Sequence, residues 1–222
     1  AAAACDGGHL QPLMSLPAGQ VRALRRELSD LLESSSPARA QLGGCIIPQS
    51  QVRMLAPVEP ANYSDFFTSI HHARNSGRIS GREPPLHPNF HHLPVAYHGR
   101  ASTLMASGVP VRRPRVQYVE PGASLPTFAP TQRLDFECEL AVYVGQGTEP
   151  GDTLTLAQAR ERLFGVGLLN DWSARDAQRW ESVPLGPFLA KSFMTSLSPW
   201  IVTMDALAPF RIPAAAREGD VP

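Results

Sequence analysis

Proline constrains the fold of this chain more than any other residue type. Twenty-two of the 222 residues are proline, and many of them lie between residues 84 and 130. Proline fixes φ and removes a backbone donor, so it is excluded from the interiors of helices and of central strands. We therefore expect short strands and shaped loops, with helices as connectors.

Hydrophobic periodicity predicts the individual elements. An amphipathic helix is expected from Pro17 to Glu33, and a second helix from Tyr63 to Asn75, where a spacing of seven would put Asp65 and His72 on one face. The clearest strand runs from Leu134 to Gly145, in which apolar residues alternate with Asp135, Glu137, Glu139, Ala141 and Tyr143.

Further elements follow this strand. We expect a helix over Thr155–Phe164, with a capping box of Thr155 and Gln158 and with Gly165 as its stop, and then a buried strand over Val166–Asn170. Ser173 is expected to cap a short helix, and Leu189–Phe193 to form a strand. The pattern predicts an α/β (α+β) chain with a mainly β core.

Charge and cysteine content limit the possible partners. Twenty basic residues balance twenty acidic ones, so no field of one sign would attract nucleic acid or an anionic membrane. The three cysteines, Cys5, Cys45 and Cys138, form no C-x-x-C pair, which argues against a disulfide framework and a zinc ribbon. We expect a cytoplasmic protein, since no apolar run approaches a membrane span and the first residues do not resemble a signal peptide.

Glu137 and Glu139 are the first candidate site residues. Two residues apart on a strand, their carboxylates leave from the same face. Adjacent carboxylates repel each other and raise a pKa, whereas a hard cation such as Ca²⁺ or Mg²⁺ needs several oxygen ligands. The alternative is a solvated strand face, which for the E-x-E pattern alone is the more common case.

Asp171 and Lys191 add to this pair. Asp171 ends an apolar strand just before a helix, a common place for ligands, although a turn or capping role is as good an explanation. Lys191 follows the apolar run Pro184–Ala190, so it is expected to be partly buried and to need a partner, unless it reaches the surface along its own stem. A buried lysine can stabilise an oxyanion.

His72 is the candidate general base. A neutral imidazole has the pKa range to accept a proton from water, although a surface histidine is an equal alternative. The nearby histidines fit no zinc spacing, and the carboxylates favour a harder ion; they are His71, His87, His91, His92 and His98.

Four segments resemble the fumarylacetoacetase family: N-Y-S-D-F-F-T-S-I-H-H-A-R-N (62–75), H-L-P-V-A-Y-H-G-R-A-S (92–102), L-D-F-E-C-E-L-A-V-Y-V-G (134–145) and N-D-W-S-A-R-D-A-Q-R-W-E-S-V-P-L-G-P-F-L-A-K-S-F (170–193). The E-x-E and N-D-x-S-A-R-D patterns resemble the wider superfamily, whereas the second phrase and V-P-L-G-P-F-L-x-K-S-F are more specific. The resemblance begins near residue 10 and extends to the end.

The resemblance implies a mixed β-roll or barrel with flanking helices, and a longer protein that extends beyond both ends of this chain. It divides the chain into a helical and linker remnant (1–56) and a partial catalytic β-barrel domain (57–222). It also implies the metal-dependent hydrolysis of 4-fumarylacetoacetate to fumarate and acetoacetate by a homodimer.

The resemblance assigns roles to individual residues. The metal, Ca²⁺ or Mg²⁺, would be held by Asp65, Glu137, Glu139 and Asp171, and a second cation by Asp171, Lys191 and Thr195. His72 would be the base, Lys191 and Arg175 would polarise the substrate, and substrate contacts would come from Tyr97, Gln178, Arg82 (or Arg78) and the positions of Phe67 and Ser182.

Three positions depart from the family pattern. Phe67 and Ser182 stand where the family usually has tyrosines, and Met194 stands in place of a glycine. Two alternatives remain open: hydrolysis of another β-diketo acid, which the changes at Phe67 and Ser182 suggest, and a non-catalytic form that still dimerises, which the shorter length relative to the family suggests.

Overall fold

The computed structural model describes residues 2–214. The helices are α1 (Gln11–Met14), α2 (Ala18–Leu32), α3 (Ile70–Ile79), α4 (Leu156–Glu161), α5 (Arg175–Glu181) and α6 (Leu189–Ser192). Short 3₁₀ helices span Ala2–Cys5, Pro37–Leu42, Gln49–Gln51 and Ala208–Phe210. The strands are β1 (Tyr63–Phe66), β2 (Ala96–Gly99), β3 (Leu104–Ala106), β4 (Arg115–Tyr118), β5 (Thr127–Pro130), β6 (Leu134–Asp135), β7 (Cys138–Val144), β8 (Leu163–Asp171), β9 (Ser173–Ala174), β10 (Thr195–Leu197) and β11 (Val202–Thr203).

The strands form one five-stranded sheet and three two-stranded pairs. In the larger sheet β8 pairs antiparallel with β7, β10 and β11, and β10 pairs in parallel with β3. The pairs are β1 with β2, β4 with β5, and β6 with β9. This confirms a mixed α/β fold dominated by sheet with flanking helices, and residues 2–214 form no closed barrel.

Two predicted helices are confirmed in place. Helix α2 lies within the predicted 17–33 range, and α4 begins with the expected capping box of Thr155 and Gln158. Gly165 was wrong as the stop of α4, because the helix already ends at Glu161 and Gly165 lies inside β8. Gly165 also sits where a Cβ would meet the backbone of Val202 at 2.6 Å, so the close pairing of β8 with β11 requires glycine there.

The predicted helix over Tyr63–Asn75 was wrong in its first half. Residues 63–66 form β1, and in the register with β2 Asp65 lies opposite Tyr97. The helix starts only at Ile70, where the Ser69 side chain accepts a hydrogen bond from the His72 backbone N–H. Asp65 and His72 therefore lie on a strand and a helix rather than on one helical face.

Two predictions after β8 were also wrong. Ser173 lies in β9 and donates to the Asp171 carbonyl, so α5 begins after Ala174 without a side-chain cap. Residues 189–192 form the short helix α6 instead of a strand. Helix α6 packs on α5, and this packing overrides the β-propensity of the apolar run around Leu189 and Phe193.

The buried side chains form two clusters. One joins the N-terminal segment to the large sheet through Met14, Val58, Tyr143, Leu169 and Leu197, and the other joins β4 to α5 and α6 through Val116, Tyr118, Ala174, Ala177 and Ala190. Hydrogen bonds from Leu10 to Pro57 and from Gln11 to Glu59 tie residues 10–11 to the predicted second segment. The predicted boundary at residue 56 stays a prediction. No helix among residues 2–214 has the length and apolarity to cross a membrane.

Strand β7 turns its charged side inward. Glu139, Ala141 and Tyr143 face the protein, while Leu140, Val142 and Val144 are exposed. Its neighbour β8 presents Leu168 on the exposed side, directly opposite Leu140. The predicted strand is confirmed over Cys138–Val144 but was wrong as one continuous strand, because Leu134–Asp135 form β6 and pair with β9, and Phe136 and Glu137 lie between the two strands. The glutamate side of β7 is not the solvated one.

Candidate active site

Three carboxylates meet beside the large sheet. Asp65 comes from β1, Glu139 from β7, and Glu137 from the two residues between β6 and β7. A carboxylate oxygen of each lies within 4.8 Å of the others, and all three side chains are partly buried. Two oxygens bound to one Ca²⁺ ion are at most about 5 Å apart, so this spacing suits a shared cation.

Glu137 and Glu139 have very different partners. Burial acts to raise the pKa of Glu137, but Lys191 and Arg175, which both bind its carboxylate, hold that pKa below the usual value. Burial, with the charges of Asp65 and Glu137, raises the pKa of Glu139 to about 8. Burial likewise raises the pKa of Asp65. The negative charge that lacks compensation therefore lies on Asp65 and Glu139.

Asp171, Lys191 and Thr195 form an adjoining buried network. Lys191 Nζ binds the Glu137 carboxylate and lies 3.0 Å from Asp171 Oδ2, and Thr195 Oγ1 donates to Asp171 Oδ1 at 2.5 Å. Asp171 and Thr195 are fully buried, and Lys191 is 3% exposed. The expectation of a buried lysine with a partner is confirmed by this geometry.

The donor set fits a hard divalent cation. Asp171 Oδ2 is buried and accepts no aligned hydrogen bond despite the nearby ammonium, so a lone pair remains for a metal. Five carboxylates meet only three cationic side chains here, so two negative charges remain uncompensated when all of these groups are ionised. The carboxylates belong to Asp65, Asp135, Glu137, Glu139 and Asp171, and the cations to Arg100, Arg175 and Lys191. Of the six predicted metal residues, the structure groups three carboxylates closely and places the other three next to them. The second cation site stays a prediction.

His72 on α3 contacts Phe67, which lies two residues after Asp65. Residues 65 and 67 are two apart along the extended chain, so they share a face, and the Phe67 N–H continues the pairing by donating to Val95. The Phe67 ring meets the His72 ring edge-on at 5.0 Å between centroids. His72 is solvent-exposed, and its ring forms no hydrogen bond with any residue from 2 to 214. It is thus open to a water molecule.

Tyr97 lies on the same face of the β1–β2 pair as Asp65. Its hydroxyl is buried and forms no aligned hydrogen bond with a described residue, and burial raises the pKa of Tyr97 above its ordinary value. A neutral phenol that faces Asp65 beside the carboxylates is suited to bind an oxygen of a ligand.

Arg175 and Gln178 extend from α5 toward the carboxylates. Arg175 donates to Asp135 at 2.9 Å, to Glu137 at 2.6 Å and to the Gln178 side chain at 2.9 Å. Ser182 and Arg82 are occupied locally: the Ser182 hydroxyl donates to the Gln178 carbonyl, and Arg82 donates to the Pro85 carbonyl. Their predicted roles as substrate contacts stay predictions.

Two residues that organise this site have no role predicted from the sequence. Arg100, the last residue of Y-H-G-R, donates to Thr195 Oγ1 at 2.6 Å and lies 3.7 Å from Asp171 Oδ1. Asn170 accepts a hydrogen bond from the Glu137 N–H through its side chain, and so fixes the backbone of that ligand candidate. Both lie in quoted motifs, next to residues that were assigned.

Residues 62–217 match the sequence model described as Fumarylacetoacetate (FAA) hydrolase C-terminal, and the match includes every candidate site residue. The chain belongs to the fumarylacetoacetate hydrolase family. Family membership accounts for the joint occurrence of the E-x-E pair, the N-D-W-S-A-R-D segment and the buried lysine in one fold.

Among relatives in the fumarylacetoacetate hydrolase family, the fumarylacetoacetase of Oryza sativa subsp. japonica is 48% identical over 199 residues, which is 87% of this chain and 46% of that protein. That of Arabidopsis thaliana is 52% identical over 162 residues, or 72% of this chain and 38% of the relative. That of Homo sapiens is 44% identical over 210 residues, or 92% and 50%. The chain thus spans about half the length of these relatives.

Proposed function

We propose that this chain supplies the catalytic carboxylate and lysine network of a metal-dependent hydrolase that converts 4-fumarylacetoacetate to fumarate and acetoacetate, the last step of tyrosine and phenylalanine breakdown. The observation that carries the proposal is the group of three carboxylates within 4.8 Å, adjoined by a buried lysine, in a chain of this family. The names of the relatives support the substrate, since they are fumarylacetoacetases.

In this proposal Ca²⁺ or Mg²⁺ is held by Asp65, Glu137 and Glu139, with Asp171 as the fourth ligand. Bound there, the metal lowers the energy of negative charge that develops on the diketo oxygens. The preference between Ca²⁺ and Mg²⁺ depends on ligand number, because Mg²⁺ keeps more of its water.

The protein residues divide the remaining chemistry. His72 takes a proton from water, whose oxygen bonds to the carbonyl carbon of the fumaryl group. The carbon–carbon bond then breaks, and its electron pair moves into the enolate of acetoacetate, which takes up a proton at carbon. Lys191 and Arg175 place positive charge beside this enolate, and Tyr97 donates to a substrate oxygen.

Turnover tests the assignment of the base. The chain, incubated with 4-fumarylacetoacetate and millimolar Ca²⁺ or Mg²⁺, is expected to release fumarate and acetoacetate, which chromatography separates and quantifies. His72→Ala should lower the rate by about a hundredfold or more, the usual range for loss of a general base. His71→Ala changes the exposed neighbour on α3 and should leave the rate unchanged. Full turnover in His72→Ala would sink the mechanism.

Metal binding is measured apart from turnover. Isothermal titration calorimetry is expected to show one divalent cation bound, and Glu139→Gln should weaken its binding by at least about tenfold because a charged ligand is lost. Glu149→Gln, an exposed substitution in a loop, is the matched control. Equal affinity in the two variants would show that the metal does not bind at Glu139.

Phe67 favours one related alternative, the hydrolysis of a different β-diketo acid. Its ring packs on His72 and brings no hydroxyl to the site, so a substrate with an apolar group at this point would fit better. A panel of β-diketo acids discriminates: a higher kcat/KM for a less polar acid than for 4-fumarylacetoacetate supports the alternative. The homodimer that the family resemblance implies is a separate proposal, tested by sedimentation equilibrium.

A further inference from the structure

Lys191 is the only lysine among the twenty basic residues of this chain, and it is almost fully buried. It lies on α6, a helix of four residues. A helix of this length has too few internal hydrogen bonds to fix its own position, so other parts of the fold must hold it.

Arg100 provides such a hold from the other side of the network. Its Nη2 donates to the backbone carbonyl of Lys191 and, at 2.6 Å, to Thr195 Oγ1. Its Nε donates to Thr103 Oγ1 at 2.9 Å, and Thr103 Oγ1 in turn donates to the Ser192 carbonyl at 2.9 Å. One guanidinium and one hydroxyl thus bind two successive carbonyls at the end of α6.

We propose that Arg100 is a positioning residue, which fixes the backbone at Lys191 so that the ammonium stays between Glu137 and Asp171. Arg100 makes no contact with Asp65, Glu137 or Glu139 among the bonds of the described residues. Its hydrogen bonds reach the site through Lys191 and Thr195, and its guanidinium also lies 3.7 Å from Asp171 Oδ1. Only the consequence for catalysis rests on the proposed function; the positioning itself does not.

The geometry requires an arginine. A planar guanidinium directs several N–H groups at once, here to a carbonyl and two hydroxyls, whereas an ammonium is a single point charge. Bonds from a charged donor to buried acceptors are also among the stronger ones in proteins. Losing them should let α6 open locally without unfolding the sheet.

The single lysine makes this opening measurable. The folded chain is treated with formaldehyde and cyanoborohydride, and methylation of Lys191 is followed by mass spectrometry of the tryptic peptide 180–211, which excludes the N-terminal amine. Arg100→Gln is expected to raise the labelling rate roughly tenfold, because the buried amine becomes accessible whenever α6 opens. Arg115→Gln is the matched control, since Arg115 makes one carbonyl hydrogen bond in β4 and should not change the rate.

An unchanged labelling rate in folded Arg100→Gln overturns the proposal. If circular dichroism shows that this variant is unfolded, Thr103→Val decides instead, because it removes only the hydroxyl that joins Arg100 to Ser192. Faster labelling of Lys191 in Thr103→Val supports the positioning role of Arg100, and an unchanged rate contradicts it.

A double-mutant cycle tests the route of the effect in turnover. Arg100→Gln should lower kcat by about 10–100-fold in the native background, the range of supporting residues around a site. In the Lys191→Met background it should have little further effect, since both changes then act on the same group. Equal losses in both backgrounds would show that Arg100 acts elsewhere. Labelling uses neither substrate nor metal, so a failure of the proposed hydrolase would not alter its outcome.

Discussion

At the scale of single residues, the site is organised by which carboxylates have a cationic partner. Glu137 is bound by both Lys191 and Arg175, while Glu139 has no ion pair with a described residue, and their pKa values diverge accordingly. Two glutamates that are two residues apart in sequence thus differ in their chemistry, because Glu137 lies beside Lys191 of α6 and Glu139 has no such partner.

Asp176 gives a residue-scale prediction that is independent of catalysis. Although burial raises its pKa, hydrogen bonds from Thr131 at 2.5 Å and from the Gln132 N–H at 2.7 Å hold that pKa below the usual value. A lowered native pKa contributes stability that is complete above the unfolded pKa of about 4 and is lost as the pH falls through the native pKa.

Asp176→Asn should therefore lower the free energy of unfolding by about 1–2 kcal/mol at pH 7, and by less as the pH falls below about 4. Urea unfolding at several pH values measures this. Asp30→Asn, on the exposed face of α2, is the control and should have no such pH dependence. A constant loss at every pH would mean that the charge of Asp176 is not what stabilises the fold.

The sequence located most site residues but not their connections. Glu137 and Glu139 were found because the two-residue period of a strand puts them on one face, and Lys191 because its flanks are apolar. Arg100 was missed because nothing near it in sequence shows that its partners lie about ninety residues away, at Lys191 and Thr195.

At the scale of elements, prediction succeeded where the local signal was strong. Helices α2 and α4 and the strands β7 and β8 have clear periodicity or caps, and all four are confirmed, although the strand predicted over Leu134–Gly145 is interrupted at Phe136 and Glu137. The helix predicted over Tyr63–Phe66 was wrong because the strand conformation of this segment depends on pairing with β2, which lies some thirty residues away. The sequence of the segment alone does not indicate that it pairs with a second strand.

The strand predicted at Leu189–Phe193 was wrong for a related reason, since α6 depends on contacts with another element. These contacts allow a prediction at the scale of elements. The Glu181 carboxylate accepts hydrogen bonds from the N–H groups of Phe188 at 2.8 Å and Ala190 at 2.6 Å, which stabilises the start of α6 from α5. Glu181→Gln keeps the shape but removes the charge, so it should lower stability by about 1 kcal/mol and speed hydrogen exchange at these two amides.

Exchange is measured by NMR or mass spectrometry on the folded chain. Glu27→Gln, on the exposed side of α2, is the matched control and should leave exchange at residues 188 and 190 unchanged. Identical exchange in Glu181→Gln and the native chain would show that α6 is held by other contacts alone.

At the scale of the whole molecule, the large sheet has an apolar side with no cover among residues 2–214. Leu140, Val142 and Val144 on β7 and Leu168 on β8 are each more than half exposed. Apolar patches of this kind are unusual on a free surface and bind apolar dyes. Fold class followed from the sequence, but which side of β7 faces inward did not, because alternation identifies two faces without ranking them.

Replacing Leu140 by Gln together with Val142 by Thr should reduce the fluorescence of a bound naphthalene sulfonate dye. The free energy of unfolding should change by less than about 0.5 kcal/mol, as is usual for exposed positions. Leu125→Gln, an exposed leucine outside this sheet, should leave dye binding unchanged. A large loss of stability in the double variant would mean that these side chains are packed in solution.

The group of three carboxylates joins residue 65 to residues 137 and 139, and Lys191 pairs with Glu137 in this group. Bringing together residues so far apart in sequence costs chain entropy, whereas a local element such as α2 forms without closing a long loop. Contacts between distant parts of a chain form slowly. We therefore expect the helices and the antiparallel β7–β8 pair to form first during folding and the carboxylate group last, so that binding of the proposed cation would report the complete native state.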